Sequence, residues 1–144
     1  MLRRAFIATV GATLFSRATA HIGGHGVPGV ALGGFDPVAY HDGIVAAGQA
    51  SLQTTVGDQV YRFANRANRT RFLMAPERYR PAYQGFCAYG IRMGQKLKVD
   101  PLAFEIIDGR LFLFLDEGTR NVWRADQADN ISIADGIWHR LRDE

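Results

Sequence analysis

"FEIIDGRLFLFL", residues 104 to 115, carries the clearest structural signal in the chain. Phe104 to Ile107 and Leu111 to Leu115 are dense with β-branched, aromatic and large apolar residues. Between them, Asp108 and Gly109 have the dipeptide form that closes a two-residue hairpin and sets its register. A second hairpin is expected upstream. Ser51 to Val56 alternates, with Leu52, Thr54 and Val56 on one side; Gly57 and Asp58 offer a turn, and Gln59 to Phe63 returns. Asn65 then reads as a cap for a helix over residues 66–75, halted where Pro76 cannot continue the hydrogen-bond ladder, with Asn68 and Phe72 on its inner face. Tyr79 and Tyr83 lead into a short helical segment around Cys87, limited by Gly90 and Gly94. Near the C-terminus Ala134, Ile137, Trp138 and Leu141 fall on one face of a helix. Hairpins alternating with helices predict an α+β fold, in which short antiparallel hairpins pack against three to four helices in one domain.

Residues 1–20 read as a signal peptide. Arg3 and Arg4 precede an apolar stretch from Ala5 to Phe15, followed by the small-residue triplet Ala18, Thr19, Ala20. That stretch is well short of the roughly 20 residues needed to span a bilayer. The paired arginines also resemble the core of a twin-arginine signal, so either that route or the general secretory one is compatible. Both lead to the periplasm and make the export machinery the one partner implied. Cleavage would remove three of the 17 basic residues and leave a charge balance near zero against the 14 acidic ones. A balanced surface gives no electrostatic reason to expect nucleic acid or an anionic membrane as partner. Residues 21–32, rich in glycine and without periodicity, read as a flexible arm, and the domain is expected over 33–144. No internal repeat, low-complexity tract or further boundary is evident within it, and no oligomeric state is specified. Composition is 47% hydrophobic, enough for a core without disulfides, and a single cysteine forbids an internal one.

Four blocks in order, "GGFDPVAYH" (33–41), "YRFANRANRTRF" (61–72), "PERYRPAY" (76–83) and "GFCAYG" (85–90), followed by Asp100-Pro101 and "IIDGRLFLF" (106–114), resemble the YHS domain family, in particular its small exported single-domain members. The resemblance spans nearly all of the expected domain and implies a compact α+β unit. Many such domains resemble metal-handling modules, with cysteines at positions that correspond here to Ala39, Ala64 and Asn68. None of these supplies a thiolate. His41 falls where cysteine-bearing members resemble one another in carrying a methionine, and it is the one residue of that set still able to coordinate.

Cys87 therefore has two readings. As a thiolate ligand it could join His41 and a thioether from Met93 or Met74 in a two- or three-coordinate site suited to Cu(I). As an unpaired cysteine beside Phe86 and Tyr89 it could simply pack in the core. His41 is flanked by Tyr40 and Asp42, so it is either a ligand oriented by a carboxylate or a residue of the turn that Asp42 and Gly43 suggest. Cleavage after Ala20 would expose the amine and imidazole of His21 together, a pair able to chelate Cu(II) with help from His25 or His41. Asp36 and Asp100, each before proline, read as turn initiators rather than catalytic carboxylates. The competing class is a nonmetal module that holds a small ligand or a protein through aromatic surface around Tyr40, Tyr83 and Tyr89. An enzyme would need Cys87 with His41 and Asp36 or Asp42 as base and orienting group; no recognisable catalytic motif accompanies them, so a nonenzymatic role is expected.

Overall fold

The computed structural model describes residues 29–144; the signal-type segment and most of the glycine-rich arm, including His21 and His25, lie outside the described residues. The fold is α+β, as expected. A 3-10 turn over Ala31–Gly34 leads to helix α1 (Pro37–His41), hairpin β1 (Gln49–Val56) and β2 (Gln59–Phe63), then α2 (Arg66–Met74) and α3 (Pro76–Tyr79). A second 3-10 turn, Ala82–Gly85, leads to α4 (Ala88–Arg92), hairpin β3 (Asp100–Ile107) and β4 (Arg110–Phe114), α5 (Glu117–Ala125) and α6 (Gln127–Leu141). Each hairpin is its own two-stranded antiparallel sheet. Six α-helices among the described residues exceed the three to four expected, because α1, α3 and α4 are little more than single turns. None is long and apolar enough to cross a membrane.

The chain is built twice, which corrects the reading that it holds no repeat. From β2 to β4 the shift is 51 positions, Gln59 to Arg110, and the same shift carries α1 to α4, β1 to β3 and α2 to α5. Fine details follow it. Both first strands break register at equivalent places, between Gln49 and Gln53 and between Asp100 and Phe104. The isolated bridge Val30 to Val60 returns as Pro81 to Leu111. Asn65 caps α2 by accepting from the Asn68 N–H at 2.8 Å, and Asp116 caps α5 by accepting from the Thr119 N–H at 2.7 Å. Because Val30 is bridged and Ala31 is buried, the domain starts before Gly33, and the end of the expected arm belongs to the fold.

Each half closes around the same aromatic clamp. Side chains two apart on a strand share a face, so Tyr61 and Phe63 of β2 both reach Phe72 of α2, with ring centroids 4.9 and 5.1 Å away. In the second half Phe112 and Phe114 of β4 reach Trp123 of α5 at 5.6 and 5.5 Å. A third cluster seals the halves together: Tyr40 from α1 packs on Leu111 and Leu113 of β4, meets Phe104 edge-on at 4.9 Å, and donates its hydroxyl to the Pro101 carbonyl at 2.9 Å.

One close approach fixes the first hairpin. Gly48 donates to the Gly34 carbonyl at 2.8 Å, and a Cβ there would stand 2.5 Å from the backbone carbonyl carbon of Arg62. Backbone cannot move aside as a side-chain tip can. Gly48→Ala is therefore expected to lower stability by about 2–3 kcal/mol in denaturant titrations. Gly57→Ala, at a left-handed turn position with open space around it, should cost only about 1 kcal/mol; equal losses at the two sites would contradict the close approach.

Candidate functional site

Cys87 is fully buried and stands at the N-cap of α4. Its sulfur accepts two backbone hydrogen bonds, from the Gly90 N–H at 3.4 Å and from the Leu115 N–H at 3.2 Å. The first satisfies a donor left open at the helix start; the second ties α4 to the end of β4. The equivalent position in the first half is Asp36, also fully buried. Its carboxylate accepts from the N–H groups of Val38 and Ala39 at the start of α1, and from the Ala64 N–H and the Asn68 side-chain amide beyond β2. Ala39 and Gly90 correspond, as do Ala64 and Leu115. Even the backbone repeats, since Asp36 N–H donates to the Ala46 carbonyl and Cys87 N–H to that of Leu97. Asp36, expected to initiate a turn, caps the start of helix α1 instead, and Cys87 occupies the matching post. Asp100 likewise accepts locally, from the Leu102 N–H at 2.9 Å.

The other expected ligands lie in different surroundings. His41 ends α1 with its ring edge-on to Tyr79, centroids 5.2 Å apart, and its Nε2 is buried with no hydrogen-bond partner. Asp42 beside it is engaged by Arg71 in a two-pronged ion pair at 2.7 and 3.0 Å, so this carboxylate does not orient the imidazole. Met93 is 58% exposed, with its sulfur 3.7 Å from an Arg92 guanidinium nitrogen, and Met74 is more exposed still. Among the described residues no three His, Cys, Asp or Glu side chains come together as a metal-binding group. His139 is exposed on α6.

The three tyrosines expected to form one aromatic surface have separate fates. Tyr40 is fully buried at the seam described above, so it offers no surface. Tyr89 lies partly buried against the second-half core with Arg92 over its ring at 5.6 Å. Tyr83 lines a cleft of about 590 Å³ where the two halves meet. It is bounded by the starts of β2 and β4, by α3 and the segment leaving it, by the second 3-10 turn and by the end of α6. The Tyr83 hydroxyl donates to Asp135 at 2.8 Å, and Asp135 in turn accepts two bonds from Arg110 at 2.8 and 3.0 Å. Burial, reinforced by that carboxylate, pushes the Tyr83 phenol upward, while the Arg110 hydrogen bonds hold Asp135 below the ordinary carboxylate range. At neutral pH the trio is phenol, carboxylate and guanidinium.

No family model matches the chain, and no curated protein or solved structure is found to be similar to it.

The residues missed from sequence are the arginines of the cleft, Arg78, Arg80, Arg110 and Arg142. Two of them stand in plain view in "PERYRPAY", where alternation of arginine with other residues was the available signal; the other two join only through the fold.

Two outcomes are expected here. Cys87→Ala removes an acceptor from two donors at once and should cost about 2–4 kcal/mol, with Cys87→Ser losing less because its hydroxyl can still accept. In native protein the thiol should react with a disulfide reagent only as fast as the domain unfolds; prompt stoichiometric labelling would contradict its burial. The second concerns pH. Burial first, then the charge of Arg78, holds the His41 ring below its ordinary value of 6.5, with Asp42 opposing. A histidine depressed in the folded state is protonated earlier in the unfolded chain, so its stabilising contribution is complete above pH 6.5 and is lost as pH falls below it. Stability should decline from pH 7 toward pH 5, and His41→Phe should flatten that part of the profile. An unchanged slope in the variant would assign the decline elsewhere.

Proposed function

We propose that this chain is an exported, YHS-like, nonenzymatic binding module that holds a small nonmetal ligand in the cleft beside Tyr83. The observation that carries the reading is the cleft itself, an open groove of about 590 Å³ walled mainly by polar and charged side chains with Tyr61, Tyr83 and Trp138 among them, in volume within the range of small-molecule sites. A second observation supports it. The sulfur that a copper site would need already serves the fold, taking two N–H bonds in the post that Asp36 holds in the other half. To ligate a soft metal, Cys87 would have to be reached through the core that closes it beside Leu113 and Ala88. On this reading the family-like architecture persists while the cysteine is a cap. The periplasmic setting rests on the signal-type opening sequence.

Titration of the full chain with Cu(I) against a competing chelator separates the nonmetal reading from the copper one. The expected result is no tight one-per-chain binding, and no difference between the wild type and Cys87→Ser. Binding of one Cu(I) per chain that Cys87→Ser or His41→Ala abolishes would overturn the nonmetal reading in favour of copper handling.

A further inference from the structure

The walls of the cleft define the charge of what it can hold. Four guanidinium groups, Arg78, Arg80, Arg110 and Arg142, come from the α3 region, the start of β4 and the end of α6, and Glu77 is the one carboxylate among the described lining residues. Asp135 and Asp143 pair with Arg110 and Arg142 from outside the lining. Even with both counted, four cations stand against three carboxylates. Three of the four are thus paired, Arg80 with Glu77, Arg110 with Asp135 and Arg142 with Asp143, which leaves an excess of one cation for solvent or an anion to meet.

The cationic wall is also held in place. Asp135 grips Arg110 with two hydrogen bonds, and the guanidinium carbon sits 4.8 Å from the centre of the Phe112 ring and 5.8 Å from that of Tyr83. A guanidinium has five N–H donors, so two bonds to Asp135 leave others available to a ligand. Arg110 remains 43% exposed and Arg80 31% exposed, so both heads are reachable. An arginine whose orientation is already fixed loses little freedom on meeting a carboxylate or phosphate, which its planar fork matches.

The duplicated architecture supplies an internal comparison. In the first half Gln59 stands where Arg110 does, Leu32 where Tyr83 does, and Gly33 where Gln84 does. Gly33 and Gln84 share a left-handed backbone, φ 61° and 54°. Glycine adopts that conformation freely, whereas a residue with a Cβ is strained there. Leu32 and Tyr83 share the left-handed conformation as well, φ 56° and 54°, so the turn is common to both halves, and what distinguishes the cleft wall is the side chains it carries, Tyr83 and Gln84 in place of Leu32 and Gly33.

We infer that the cleft is a site for a small organic oxyanion, a molecule bearing carboxylate or phosphate groups, gripped by Arg80 and Arg110 and flanked by Tyr83 and Trp138. This deepens the small-ligand reading and rests on it. The test is calorimetric titration of the full chain with citrate, with pyrophosphate and with neutral benzamide, at low and high salt. Citrate or pyrophosphate should bind and weaken with salt, and Arg80→Gln and Arg110→Gln should each weaken binding about tenfold. Glu77→Gln removes the one lining carboxylate and frees its partner Arg80, so it should tighten binding several-fold, which a merely structural role would not produce. Should Arg110→Gln fail to fold, Arg142→Gln and Arg80→Gln carry the same test. Anion binding indifferent to these arginine substitutions overturns the assignment. Benzamide bound in a Tyr83-dependent way, with neither anion bound, overturns the anionic class and leaves the small-ligand reading standing; no binding of any of the three overturns both.

Discussion

A buried acceptor at the mouth of a one-turn helix is the constraint on which each half of this protein depends. Helices of five residues such as α1 and α4 have no stability of their own in water, because nucleation is unfavourable and propagation too short to offset it. Asp36 and Cys87 solve the same problem by one route. Each satisfies a donor at its helix start and also takes an N–H from the residue just beyond the hairpin, Ala64 or Leu115. Helix and hairpin are thereby fastened at a point that would otherwise leave unpaired polar groups in the interior. The aromatic clamps then bury the faces so aligned, Phe72 over β2 and Trp123 over β4.

The halves are joined less symmetrically than they are built. Tyr40 of the first half enters the second, capping the β4 leucines and bonding to Pro101, whereas its counterpart Ile91 stays within its own core. The cleft opens between the starts of β2 and β4, lined there by Gln59, Tyr61 and Arg110 and not by the β4 leucines that Tyr40 covers. Exposed arginine heads can line that gap because their stems pack on rings, as Arg110 does on Phe112, while their charges stay wet.

The sequence made local structure legible wherever one residue type has a distinctive local chemistry. Asn65 as a cap, Asp108-Gly109 as a turn and the apolar face of α6 all depend on neighbours a few positions away. α5 was not legible, since only Val122 and Trp123 among its nine residues are large and apolar and Gly118 weakens the helical signal. The repeat was hidden for a different reason. Equivalent positions preserve a role and change the residue that fills it: Phe72 and Trp123 both clamp, Asn65 and Asp116 both cap, and Gly57-Asp58 becomes Asp108-Gly109. Few pairs are identical, among them Phe35 with Phe86 and Phe63 with Phe114. Nor could sequence separate the three tyrosines: Tyr40, Tyr83 and Tyr89 each follow an alanine in a short segment, and only packing decides which is sealed and which reaches the cleft. The cleft arginines come from three separate stretches, so no window contains them.

The different acceptors in the two halves follow from the number of donors each must serve. Asp36 receives four hydrogen bonds, one of them from the Asn68 amide, and a buried carboxylate needs that many to offset its lost hydration. In the second half Thr119 stands in place of Asn68, and its hydroxyl is occupied by Asp116 at 2.7 Å. Two backbone N–H groups bond the sulfur, in a setting closed by Ala88, Ile91 and Leu113. A carboxylate there would be buried without the side-chain amide that Asn68 gives Asp36. A sulfur atom, large enough to reach both donors and apolar enough to be enclosed, meets the same geometric demand without a charge. The lone cysteine is thus accounted for by the hydrogen-bond inventory of its own half.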